Sequence, residues 1–198
     1  MKLFFLRSLA AAALACGLVA CGGGDKADYE VKGTIENLKY DSLVLTNGAD
    51  TLTLPGGTTK FSFPTKLAYG DIYEVKVSRK VPHQQCNVVA PNLEGVAGRD
   101  SAGRLTTIDV LVRCTIDTHT VTVAIPTPAV GAVLTNGSLG GTSKLTATTA
   151  SSVFTVAYGD SYGITVLEQP TTGGPCKIEN GVGVMGDDDI KNVTLRCP

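Results

Sequence analysis

The sequence predicts an all-β chain built as two tandem β-sandwich modules, and three observations carry that expectation. Two strings recur: Val44-Leu45-Thr46-Asn47-Gly48 returns as Val133-Leu134-Thr135-Asn136-Gly137, and Ala68-Tyr69-Gly70-Asp71 returns as Ala157-Tyr158-Gly159-Asp160. Within each copy the strings start 24 positions apart (44 to 68, 133 to 157), and the copies are offset by 89, so one unit is made twice. The second observation is that each copy holds short runs of alternating apolar and polar residues separated by turn signals, the pattern of half-buried strands. The third is the cysteines, two per copy, with each copy closing on Arg-Cys (Arg113-Cys114, Arg196-Cys197).

Residues 1–20 read as an export signal: Lys2 and Arg7 precede an apolar run over 9–20 that is too short to span a bilayer. Leu18-Val19-Ala20-Cys21 followed by Gly22-Gly23-Gly24 resembles the lipobox of bacterial lipoproteins. The resemblance implies cleavage before Cys21, a thioether-linked diacylglycerol on its sulfur and an acyl chain such as palmitate on the new amine. Several chains make a lasting membrane anchor where one is marginal. Gly22 is not the Asp that this family uses for inner-membrane retention, so the resemblance points to the outer membrane. Residues 21–28 have the composition of a short lipidated tether.

Once Lys2 and Arg7 leave with the signal, 15 Lys and Arg stand against 18 acids. That balance supplies no basic stripe for nucleic acid. Of six cysteines, Cys16 leaves and Cys21 carries lipid. The remaining four admit three pairings, of which the repeat favours Cys86 with Cys114 and Cys176 with Cys197, disulfides suited to an exported chain. A zinc site is the alternative, but none of the four lies in a Cys-x-x-Cys pair.

Module 1 is expected over 29–116. Strands are expected at 29–35, at 43–45, on the far side of Asn47-Gly48 (a dipeptide suited to a tight hairpin), at 61–63, 72–77, 88–89 and 108–112, about seven in all. Gly70 and Tyr73, at the entrance to an alternating strand, resemble the tyrosine corner of immunoglobulin-like sandwiches. The resemblance implies a buried ring whose hydroxyl bonds backbone across the corner. Leu-Thr-Asn-Gly, Tyr-Gly-Asp-x-Tyr, the mid-module Cys and the closing Arg-Cys are together similar to the tandem cysteine-paired, immunoglobulin-like repeats of bacterial surface lipoproteins. These are marks of a scaffold rather than an activity. Module 2, over 117–198, should hold strands at 120–125, 145–149, 153–156, 162–167 and 192–195. The linker is short enough for the modules to abut end to end.

Chemistry is sparse. Residues shared by both copies, Tyr69, Asp71 and Tyr73 with Tyr158, Asp160 and Tyr162, are explained as scaffold, with the aspartates accepting backbone hydrogen bonds in the turn. His83 and His119 have no partner constellation in the sequence and read as solvated loop histidines, and nucleophilic catalysis has little support. Asp187-Asp188-Asp189, in the place of the stretch 99–104 of module 1, is the one run suited to a hard cation such as Ca²⁺. Without an EF-hand spacing it reads as a solvated acidic loop. The expectation is therefore a non-catalytic binding or structural module held to the envelope through Cys21, with no cofactor and an unidentified protein or glycan ligand. An envelope hydrolase with an unrecognised site, and an accessory subunit of an envelope assembly, are the alternatives.

Overall fold

A computed structural model describes residues 28–89, 97–105 and 107–198, and within them the chain is all-β. The signal segment and Cys21 lie outside the described residues. Eight strands form the first module: β1 (Tyr29–Glu36), β2 (Leu43–Asn47), β3 (Asp50–Leu54), β4 (Lys60–Leu67), β5 (Ile72–Arg79), β6 (Gln84–Val89), β7 (Arg99–Ser101) and β8 (Ile108–Ile116). Eight more repeat them: β9 (Thr118–Ala124), β10 (Val133–Asn136), β11 (Thr142–Lys144), β12 (Ser151–Ala157), β13 (Ser161–Glu168), β14 (Lys177–Glu179), β15 (Val182–Val184) and β16 (Ile190–Arg196).

Each module is a two-layer sandwich with the same wiring. Sheets β4-β1-β8-β6 and β3-β2-β5-β7 form the first, and β12-β9-β16-β14 and β11-β10-β13-β15 form the second. In both, the first strand lies at the sheet centre, antiparallel to the fourth and parallel to the last. The alternating residues fill the space between layers. Val31, Ile35, Phe63 and Val112 meet Leu43, Leu45 and Val75 in one core; Val121, Val123, Val156 and Leu195 meet Leu134 and Ile164 in the other. Cys86 pairs with Cys114 and Cys176 with Cys197, each bridge closing a loop within its own module.

Two local expectations are corrected. The two-residue hairpin loop is Gly48-Ala49, with Gly48 at φ +58°, while Asn47 ends β2 as a buried residue. Its Oδ1 accepts the Glu74 amide at 2.9 Å, and Asn136 does the same for Gly163 at 3.0 Å. The asparagine of the repeated string is thus a cross-strand clamp. The expected strand at 145–149 is instead a turn: β11 stops at Lys144, and Thr149 Oγ1 accepts the Thr146 amide at 2.9 Å. Threonine hydroxyls offer the backbone local partners that compete with a ladder. The short β7 and β15 escape periodicity altogether, because three residues are too few to alternate recognisably.

At the corners, Gly70 and Gly159 take φ of +89° and +80°, and the rings of Tyr73 and Tyr162 are buried as the resemblance implied. The hydroxyls do otherwise. Tyr162 faces Gly183 across the β13–β15 ladder, and its Oη lies 2.6 Å from where a Cβ on that glycine would stand. Tyr73 faces Asp100, and burial followed by that charge pushes its phenol above the ordinary value. Asp71 Oδ2 accepts the Ala68 amide at 2.8 Å, the turn bond expected of it.

Candidate functional site

Because β1 and β8 run the same way, module 1 has a head, where Tyr29 enters and the Tyr69 corner sits, and a tail, where β8 ends. The tail of module 1 meets the head of module 2, and there the residues without a counterpart in the other copy converge. Only Asp117 lies between β8 and β9. Its amide donates to the His83 carbonyl at 3.0 Å, its carboxylate accepts Gln85 Nε2 at 3.0 Å, and its carbonyl accepts the Tyr158 amide at 2.9 Å. One linker residue is therefore bonded to both modules, and the link has no slack.

Two loops bring aromatic groups to this point. Gln84, fully buried, accepts the amides of Lys39 (3.1 Å) and Tyr40 (3.4 Å) and donates to the Asn37 carbonyl. That holds the 37–40 loop and so places Tyr40. His83, immediately before Gln84, adopts φ +57°. The imidazole stacks face to face on Tyr158, centroids 3.7 Å apart and planes 1° from parallel. Tyr40 closes edge-on against both rings at 5.6 and 5.8 Å. On the other side, His83 Nδ1 lies 2.6 Å from Asp187 Oδ1.

His83 is thus no solvated loop residue: the fold supplies the partners that the sequence could not show. Asp187 and Asp189 are exposed, as residues of a solvated acidic loop should be, yet each carboxylate has one partner. Asp189 Oδ1 accepts the Thr120 amide at 2.8 Å, and that bond holds its carboxyl below the ordinary carboxylate value. With two of the three aspartates turned to separate partners, the run does not converge on one point. Among the described residues no group of three His, Cys, Asp or Glu is placed to hold a metal. The wiring also revises which residues replace which. Ala102 and Met185 make the same corner bonds in the two copies, so Asp187 stands where module 1 has Arg104.

Beside the aromatic cluster runs an open polar groove of about 610 Å³, lined by Lys80, Gln85, Asp117, His119 and Asp187 among others. His119 is half-buried on β9. A second, more apolar hollow of about 720 Å³ lies on the module 1 side, between the 37–39 loop, Gly57 and the end of β8. What the junction does chemically is join surfaces: a stacked pair of rings, an edge-on third ring and a carboxylate at the exposed end of the imidazole. Sequence reasoning missed Tyr40, Gln84 and Asp117, and the one signal that could have found them is their lack of a counterpart in the other copy. No family model matches the chain, and no curated protein is significantly similar to it.

Proposed function

We propose that this chain is an envelope lipoprotein, lipid-anchored at Cys21, whose two modules act as a non-catalytic binding or structural element standing off the membrane as a short stiff rod. The observation that carries the reading is the slackless junction: Asp117 bonded to both modules and His83 stacked on Tyr158. A linker of one bonded residue converts two modules into one lever, which serves presentation or spacing rather than turnover. Placement of both histidines at this joint, one of them in a packing role, supports the same reading. The lipobox-like Leu18-Val19-Ala20-Cys21 supports the anchor, and Gly22 after it supports the outer-membrane address.

Two measurements test it. The N-terminal peptide of the purified protein should carry acyl mass on Cys21, and Cys21→Ser should leave the chain soluble or as uncleaved precursor. A wild-type peptide starting elsewhere without lipid would sink the anchor. Small-angle scattering should then give one extended particle with a single inter-module distance. A broad distance distribution would remove the lever.

A further inference from the structure

The head of module 1 repeats the face that module 2 uses to seat its neighbour, and among the described residues nothing covers it. Tyr158 is stacked beneath His83; its counterpart Tyr69 is 77 % exposed. The Tyr69 ring is propped outward rather than loose, because it lies over Gly103, whose Cβ position would fall 2.3 Å from Cδ2. The corner beneath it is tied to the β7 hairpin by Gly70 N to Ala102 O (2.9 Å) and Ala102 N to Asp71 O (2.7 Å). Around the same pole stand two further large apolar side chains, Ile72 (58 % exposed) and Leu105 (56 %). Arg104, held only loosely by Asp100 at 3.4 Å, replaces the carboxylate that module 2 carries there.

The occupant follows from where this pole lies in the chain. Residues 22–28 alone separate Cys21 from Tyr29, and a chain extends at most about 3.6 Å per residue, so the pole lies within about 29 Å of the anchoring sulfur. Tyrosine with one wet and one apolar end, isolated aliphatic side chains and an arginine able to fork onto phosphate are the groups that settle at a lipid–water interface. Such a small patch binds lipid weakly by itself. On a chain already anchored, effective concentrations near the millimolar range make weak contacts sufficient.

We infer that the head of module 1, through Tyr69, Ile72, Leu105 and Arg104, rests on the headgroup layer of the membrane that holds Cys21, setting the rod's direction. The inference rests on the lipid anchor proposed above and adds an orientation to it. The chain contains no Trp, so Tyr69→Trp in the full acylated protein gives a single reporter, and Val182→Trp, on the exposed β15 edge of module 2 (79 %), gives its control. Both are reconstituted in phosphatidylethanolamine–phosphatidylglycerol vesicles with brominated acyl chains. Emission from position 69 should shift to the blue and be quenched by bromine at least twofold more than emission from position 182. Adding Arg104→Glu and Leu105→Ser should return it to the control level. Equal access of aqueous iodide to both positions, with acyl mass present on Cys21, overturns the inference while leaving the anchor standing. Shielding from iodide without bromine quenching, the mark of a protein occupant such as a second copy, overturns it equally. Absence of acyl mass overturns the anchor and takes this inference with it.

Discussion

Tyr69 and Tyr158 occupy the same corner of the same sandwich, after the same alanine and before the same Gly-Asp, yet one stands in solvent and the other is stacked beneath a histidine. The corner itself explains neither fate. What differs is the neighbour: module 2 has module 1 in front of it, and among the described residues nothing stands in front of module 1. The carboxylate that meets His83 is likewise absent from the free head, where Arg104 takes its place. A shared residue is therefore not thereby a scaffold residue, and the expectation that Tyr158 only supports the fold is wrong.

The two cores show the opposite case, different residues doing one job. Gly33 in β1 faces Phe61 across the ladder, and a Cβ on that glycine would fall 2.0 Å from the Val110 carbonyl and 2.6 Å from the Phe61 ring. Module 2 fills the corresponding space with Val123 against Ser152. A large-plus-nothing pair becomes a medium-plus-small pair of similar volume, as close packing demands. The exchange leaves the Ser152 hydroxyl buried with no partner.

The largest test of module equivalence is the disulfides. Bridges spanning 28 and 21 residues should each contribute about 3 to 4 kcal/mol by restricting the unfolded chain. Replacing Cys86 and Cys114 together by Ala should lower the denaturation midpoint of the first module, and replacing Cys176 and Cys197 that of the second. A loss shared evenly by both modules in either variant would show that they unfold as one body. Next come the clamps. Asn47→Ala and Asn136→Ala should each cost about 1–3 kcal/mol, since each strands a buried amide. Markedly unequal costs in chemical denaturation would break the comparison at its most conserved-looking point.

The tyrosines sharpen it directly. Tyr158→Ala should cost about 0.5–1.5 kcal/mol for the lost ring pairing and broaden the inter-module distances seen by scattering. Tyr69→Ala, on the same corner, should change stability by less than about 0.5 kcal/mol in the detergent-solubilised protein. Equal effects would mean that the corner, not the junction, is what Tyr158 supports. Ser152→Ala should be neutral or stabilise module 2 by up to about 1 kcal/mol, because the stranded hydroxyl goes. A clear loss would reveal a partner for it.

The smallest effect concerns Asp189. Its carboxyl is depressed by the Thr120 amide, so the stability it contributes is present above the unfolded value, about 3.9, and fades as pH falls through the lower folded one. Carboxyl chemical shifts followed below pH 5 should place Asp189 under the ordinary aspartate midpoint and return it there in a chain whose β9 start is loosened by Tyr158→Ala. An ordinary midpoint in the wild-type protein would remove that contact from the head of module 2.

Class, duplication and cysteine pairing are legible in the residues because each rests on a local or repeated signal. Alternation places Val31, Ile35, Leu43 and Leu45 inside, and two cysteines per copy leave few ways to pair. Glycine at positions 70 and 159 announces the left-handed corner for the same reason: only backbone sterics are involved. The junction is another matter. His83 and Asp187 stand 104 positions apart, Tyr40 and Tyr158 farther still, and nothing local in any of them specifies a partner. Their meeting follows from the one-residue linker, the φ of +57° at His83 and the Gln84 side chain that positions the 37–40 loop. The role of Asn47 was likewise decided by tertiary structure, since a buried strand end and an exposed turn can begin with the same Asn-Gly. Periodicity reports which face of an element is apolar. Only the assembled layers decide which ends of those elements come to face each other, and the candidate site of this protein is made of ends.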